Sequence, residues 1–176
     1  MNNPVVYLST AYLAPLVYYL SLARAEKVFI ESHCNYIKQS YRNRCLIASA
    51  NGVQSLSIPV ERSLSIKCLT RDVRISEHGN WRHLHWNAIV SAYNSTPFFE
   101  YYADDFRPFY EKRYTFLFDF NESLRELVCR LIDIHPDVSC TTFYKEGFSD
   151  SETDLREEIH PKKPIDRKST RLNSSH

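Results

Sequence analysis

Val5-Val6-Tyr7-Leu8 is a short apolar run, Ser9 to Pro15 follows as a polar and small-residue break, and Leu16 to Ala25 repeats its apolar side chains at helical spacing. Pro15 is suited to the start of that helix, because its fixed φ and missing N–H cost nothing there. A second apolar run, Val28-Phe29-Ile30, comes next. Strand, helix and strand in this order predict a β-turn-α-β unit, whose two strands pair in parallel with a right-handed crossover. The loop after the first strand then lies at the carboxyl edge of the sheet, where α/β proteins place ligands. Ser9, Thr10 and Tyr12 belong to that loop. It has no glycine, so the dinucleotide fingerprint is absent, and neither a phosphate loop nor a nucleophile elbow occurs elsewhere. No cofactor is expected.

Working outward, Cys45 to Ala50 and Val53 to Val60 flank Asn51-Gly52, a dipeptide that tolerates the positive φ of a tight turn. Leu56, Ile58 and Val60 alternate with polar residues, as do Leu64, Ile66 and Cys68, and then Val73 and Ile75. Several extended segments are predicted between residues 45 and 76, which makes the sheet mixed. From Trp81 the period turns helical: Trp81, Leu84, His85, Ala88, Ile89, Ala92 and Tyr93 share one face, with Asn80 as N-cap. Residues 98–118 carry ten of the 24 aromatic side chains and are broken by Pro108, which predicts two short aromatic helices. A further helix is expected to open at Asn121 and bury Leu124, Leu127, Val128, Leu131 and Ile132. The fold class is therefore α/β, with helices packed on a mixed sheet.

The chain has 176 residues, enough for one domain. Its 22 basic against 21 acidic side chains leave a formal charge of +1, which points to no nucleic acid partner. Five cysteines contain no C-x-x-C pair, and an odd number cannot all pair within one chain, so reduced thiols are expected. No basic residue precedes Arg24, and the apolar stretch 11–23 is too short for a membrane span. A cytoplasmic protein is the reading, with its oligomeric state left open. Residues 1–148 are expected to form the domain and the acidic, proline-bearing stretch 149–167 a polar linker. The last nine residues, 168–176, have neither period and look like a translated sequencing adapter, so the native chain is expected to continue differently beyond residue 167.

Two polar clusters stand out. Asn35 to Arg44 gathers Lys38, Arg42 and Arg44 with Asn35 and Asn43, either a solvated connection or a holder of phosphate or carboxylate. His83 and His85, two residues apart, point to different helix faces and do not make a zinc pair, so no metal site is expected. His85 falls on the apolar stripe, which suits a packed core histidine as well as a base.

The ordered set Tyr12-Leu13-Ala14-Pro15, Asn35-Tyr36-Ile37-Lys38 with Asn43-Arg44, Asn51-Gly52, Trp81-Arg82, His85-Trp86, Tyr93, Pro97-Phe98-Phe99 and Asn121 resembles the WbqC-like family over about residues 5–134. The family occurs beside bacterial surface-polysaccharide genes. The resemblance implies a group-transfer enzyme, with aminoacyl transfer to an amino sugar as its chemistry. His85 would be the general base, and Tyr12, Asn35, Lys38, Asn43 and Arg44 would hold a small-molecule substrate such as a nucleotide-linked amino sugar. The alternative is a non-catalytic α/β protein that binds a sugar nucleotide or a partner enzyme. One departure is visible: where the family has Gln-Pro after its first strand, this chain has Ser9-Thr10-Ala11.

Overall fold

The fold is that of a computed structural model, in which residues 4–61 and 67–163 are described. Strand β1 (Val5–Ser9), helix α1 (Leu16–Arg24) and strand β2 (Lys27–Glu31) form the expected unit, with β1 and β2 parallel and Val6 opposite Val28. Val6, Tyr7 and Leu8 are all buried, the continuous apolar pattern of a strand covered on both faces. Helix α1 closes one face through Tyr18, Tyr19 and Leu22.

Two short strands complete this sheet. They are β5 (Val138–Cys140), parallel to β2, and β6 (Glu152–Asp154), parallel to β1, giving the order β5-β2-β1-β6. The stretch expected as a polar linker from residue 149 is thus built into the sheet as far as Asp154, and Arg156 beyond it is buried. Main-chain pairing to β1 does not need apolar side chains, so an edge strand of Glu-Thr-Asp carries no periodicity signal. The tail at 168–176 lies outside the described residues, as do Leu64 and Ile66.

The antiparallel hairpin is β3 (Arg44–Ser49) with β4 (Gly52–Ser57). It forms a sheet of its own beside the parallel one, so parallel and antiparallel strands occupy two sheets rather than a single mixed sheet. Ser49 pairs with Gly52, which leaves Ala50-Asn51 as the two-residue turn, and Gly52 takes φ +105°, a conformation that strains any residue with a Cβ.

Helix α2 (Trp81–Tyr93) begins where its period begins, but Asn80 sits at φ 49° and its side chain makes no capping bond. Helix α3 (Phe99–Glu111) is one helix and not two, with Pro108 inside its last turn. Proline there forfeits only its own amide bond, and the Lys112 amide still reaches the Pro108 carbonyl at 2.9 Å. Helix α4 (Leu117–Leu131) starts four residues ahead of Asn121, because the aromatic run feeds straight into it and hides its first turn. Its apolar side chains serve two cores. Leu117, Phe120, Leu124 and Leu127 join Tyr12, Trp81, Tyr110 and the inner hairpin face, while Phe118 and Cys129 join the parallel sheet and α1. Helix α4 is the wedge that locks hairpin and sheet together.

Candidate functional site

Tyr12 and His85 meet in the larger core. The Tyr12 hydroxyl lies 3.0 Å from His85 Nδ1 and 2.9 Å from the Tyr110 hydroxyl. His85 is 6% exposed, packs against Trp81, and is pulled down to about 4 by burial, with a hydrogen bond to the Ser57 backbone acting the other way. Nδ1 is engaged with Tyr12, and at neutral pH the ring is neutral.

Arg44 Nε donates to Ser57 Oγ at 3.2 Å, and Asn43 Nδ2 donates to the Ile58 carbonyl at 3.0 Å. Together with His85, these two fasten the end of β4. Asn35 and Lys38 are exposed, and the Asn35 backbone bridges to Leu69. The six residues singled out by the sequence therefore divide into a buried pair, a hairpin clamp and a surface loop.

The polar convergence is elsewhere, at the carboxyl ends of the four parallel strands. Thr10, Glu31, Ser32, Thr141 and Arg156, one or two from each strand end, are all buried. Glu31 Oε1 accepts from Thr141 Oγ1 at 2.9 Å and from the His33 amide at 2.7 Å, and its Oε2 accepts from Arg156 Nη1 at 3.0 Å. Arg156 also grips Asp154 with Nε at 2.8 Å and Nη2 at 2.9 Å. The ends of β2, β5 and β6 are tied by charge-assisted bonds, and Ser9 Oγ joins the end of β1 to them through the Arg156 carbonyl at 2.9 Å.

Two charged groups bond to the dipeptide Ser9-Thr10. Arg42, buried, donates from Nη2 to Ser9 Oγ at 2.9 Å, and Asn121 fixes the Arg42 carbonyl at 2.7 Å. Glu122 accepts from Thr10 Oγ1 at 2.8 Å and from Arg125 Nε at 2.8 Å. Burial raises the Glu122 carboxyl above the ordinary range, against the pull of Arg125 and Thr10. The cavity among Ser9, Thr10, Ser40, Arg42, Arg156 and His160 is about 10 Å³, room for about one water.

A larger cavity of about 450 Å³ opens between the hairpin, α2 and α3, lined by Leu13, Ile47, Trp86, Tyr93 and Phe106 among others and by no charged side chain. It offers no acid or base. Among the described residues, no cluster of three His, Cys, Asp or Glu is placed to hold a metal, and no helix is long and apolar enough to cross a membrane.

The WbqC-like protein family matches residues 10–163. The chain belongs to that family. The WbqC-like match runs past residue 134 and takes in β5, β6 and Arg156, so the whole sheet edge except Ser9 lies inside it. The uncharacterized protein Rv1507c of Mycobacterium tuberculosis is similar, at 27% identity over 118 residues, which is 66% of this chain and 51% of that protein. The chain thus spans about half the length of that relative. No solved structure matches.

Of the site residues, sequence reasoning reached Ser9 and Thr10 through the strand-end rule and had Arg42 in its charged run. It missed Glu31, Glu122 and Arg156. A glutamate closing the apolar run Val28-Phe29-Ile30 was the available signal, since a charge at the end of a buried strand needs a partner.

Proposed function

We propose that this WbqC-like protein is a group-transfer catalyst for an activated amino sugar, with aminoacyl transfer in surface-polysaccharide synthesis as the chemistry the family resemblance suggests. The observation that carries this reading is the pairing of unlike groups on Ser9-Thr10: a largely buried carboxyl bonded to Thr10 and a buried guanidinium bonded to Ser9. Transfer to an amine needs both. The attacking nitrogen bonds to the acyl carbon and must lose a proton, and the leaving anion must be held as its bond to that carbon breaks. Glu122, with its raised affinity for a proton, suits the first task. Arg42 suits the second.

In this reading Glu122 takes the role expected of His85, which is packed in the core against Trp81 with Nδ1 on Tyr12. The transfer is tested with nucleotide-linked amino sugars and an aminoacyl phosphate donor, following product mass. Glu122→Gln should lower turnover by about 10²–10⁴, the usual contribution of a positioned base, while the protein stays folded. Turnover unaffected by that change, or no product from any amino sugar, would sink the proposal.

A further inference from the structure

Arg42 and Arg156 line the same small cavity, yet their guanidinium groups are used differently. Arg156 is committed: Nε and Nη2 hold Asp154, Nη1 holds Glu31, and Nη2 also reaches the Lys145 carbonyl at 3.0 Å. Arg42 has capacity left. Its side chain is 2% exposed, but among the described residues Nε has no hydrogen-bond partner and Nη1 has only a long approach of 3.5 Å to Ser40 Oγ. Nη2 carries the rest, with Ser9 Oγ at 2.9 Å, Glu157 Oε1 at 2.8 Å and Cys34 Sγ at 3.7 Å. A buried guanidinium whose Nε is unpartnered and whose Nη1 makes a single long contact has donors left for a further oxyanion.

The carboxylate on Arg42 comes from a side chain that is half in solvent. Glu157 is 51% exposed and belongs to the segment that follows β6. The segment is anchored up to Arg156 by the Leu155 amide on the Tyr7 carbonyl at 2.9 Å and by Ser9 Oγ on the Arg156 carbonyl at 2.9 Å. Among the described residues, its backbone bonds past Arg156 stay within the segment: the Ile159 amide reaches the Leu155 carbonyl at 3.5 Å and the Lys163 amide the His160 carbonyl at 3.0 Å. Among the described residues, the carboxylate of Glu157 is the side-chain ion pair from this stretch to the sheet edge, beside the packing of Ile159 on the parallel-sheet core.

We propose that Arg42 with Ser9 is an oxyanion subsite for a phosphate or carboxylate ligand, and that Glu157 is a built-in counter-ion that occupies it and is displaced by the ligand. A cavity with room for about one water becomes a site when the 157–163 stretch moves off. This rests on the transfer reading only for its location. Binding and turnover are read separately, so either can fail alone.

The experiment uses the full chain and two probes, pyrophosphate and acetate, by isothermal titration, with hydrogen exchange followed over residues 155–163. Wild type should bind at least one probe weakly, and Glu157→Gln should bind it about tenfold more tightly, since the internal competitor is gone. Glu158→Gln, next along the chain, should leave affinity unchanged. Exchange at 155–163 should quicken in wild type when the probe saturates. Which probe wins distinguishes a phosphate ligand from a carboxylate one. Ser9→Ala should weaken binding, and it carries the test if Arg42→Lys fails to fold. No binding by wild type up to tens of millimolar, binding only in Glu157→Gln, or an equal gain from Glu158→Gln would overturn the proposal, as would unchanged exchange at saturation.

Discussion

Arg156 Nη1 donates to Glu31 Oε2 across 3.0 Å, with the two side chains 6% and 0% exposed and 125 residues apart in sequence. This pair ties the end of β6 to the end of β2, with β1 running between them. It closes the sheet through a contact that no local pattern encodes.

Removing one member strands the other. Arg156→Met should cost about 3–5 kcal/mol, because Glu31 would keep a buried charge without its counter-ion. Adding Glu31→Gln to that change should recover part of the loss, since a neutral amide needs no cation. Urea unfolding of the single and double variants measures both. A single variant within about 1 kcal/mol of wild type would mean that water reaches Glu31 and the sheet edge is not closed.

His85 predicts an acid-sensitive fold. Its folded value of about 4 lies below the ordinary histidine value near 6.5, so the neutral ring is favoured in the folded state. The contribution to stability is complete above about pH 6.5 and is lost as pH falls toward 4, by about 3 kcal/mol in all. Chemical denaturation at pH 7, 5.5 and 4.5 should show that loss, and His85→Gln should flatten it while lowering stability at pH 7. An unchanged acid limb in the variant would assign the loss to other groups.

The same residue shows how far a sequence can be read. His85 at i+4 from Trp81 on an apolar stripe was legible as a core position, and β1, α1 and β2 were legible because each is long enough for its period to show. Strand β6 was not. Three polar residues at a sheet edge are held by main-chain pairing and by polar side-chain bonds, from Tyr7 to Glu152 and from Arg156 to Asp154, whereas the pattern that reveals strands is an apolar side-chain pattern. The start of α4 was hidden for the opposite reason, since aromatic side chains run on from α3 and blur the boundary. At the site, topology located Ser9 and Thr10, whereas Glu122 and Arg156 reach it from 112 and 147 residues away in contacts that only folding creates.

The thiols should react in an order set by burial. All five cysteines are free; Cys45 and Cys129 are buried, Cys34 and Cys68 half-buried, and Cys140 exposed. Burial pushes the Cys45 thiol up to about 12, so almost none of it is thiolate at neutral pH. Titration of the folded protein with a thiol reagent should modify Cys140 first and leave Cys45 and Cys129 until unfolding. Five thiols reacting at one rate would show that the two cores open together on the time scale of labelling.

Glu122 makes the transfer reading testable by pH. Desolvation raises its carboxyl above the ordinary glutamate range, with Arg125 and Thr10 opposing the rise. A base must be ionised to accept a proton, so turnover should climb with pH through the raised value and level off above it. Arg125→Met removes the opposing charge and should shift that limb to higher pH. Thr10→Val removes one hydrogen bond to the ionised form and should move it in the same direction by less. Glu122→Gln should abolish the limb along with most of the rate. If the limb persists in Glu122→Gln, or if Arg125→Met moves it to lower pH, the proton is being taken by another group and Glu122 serves only to anchor α4 to the sheet edge.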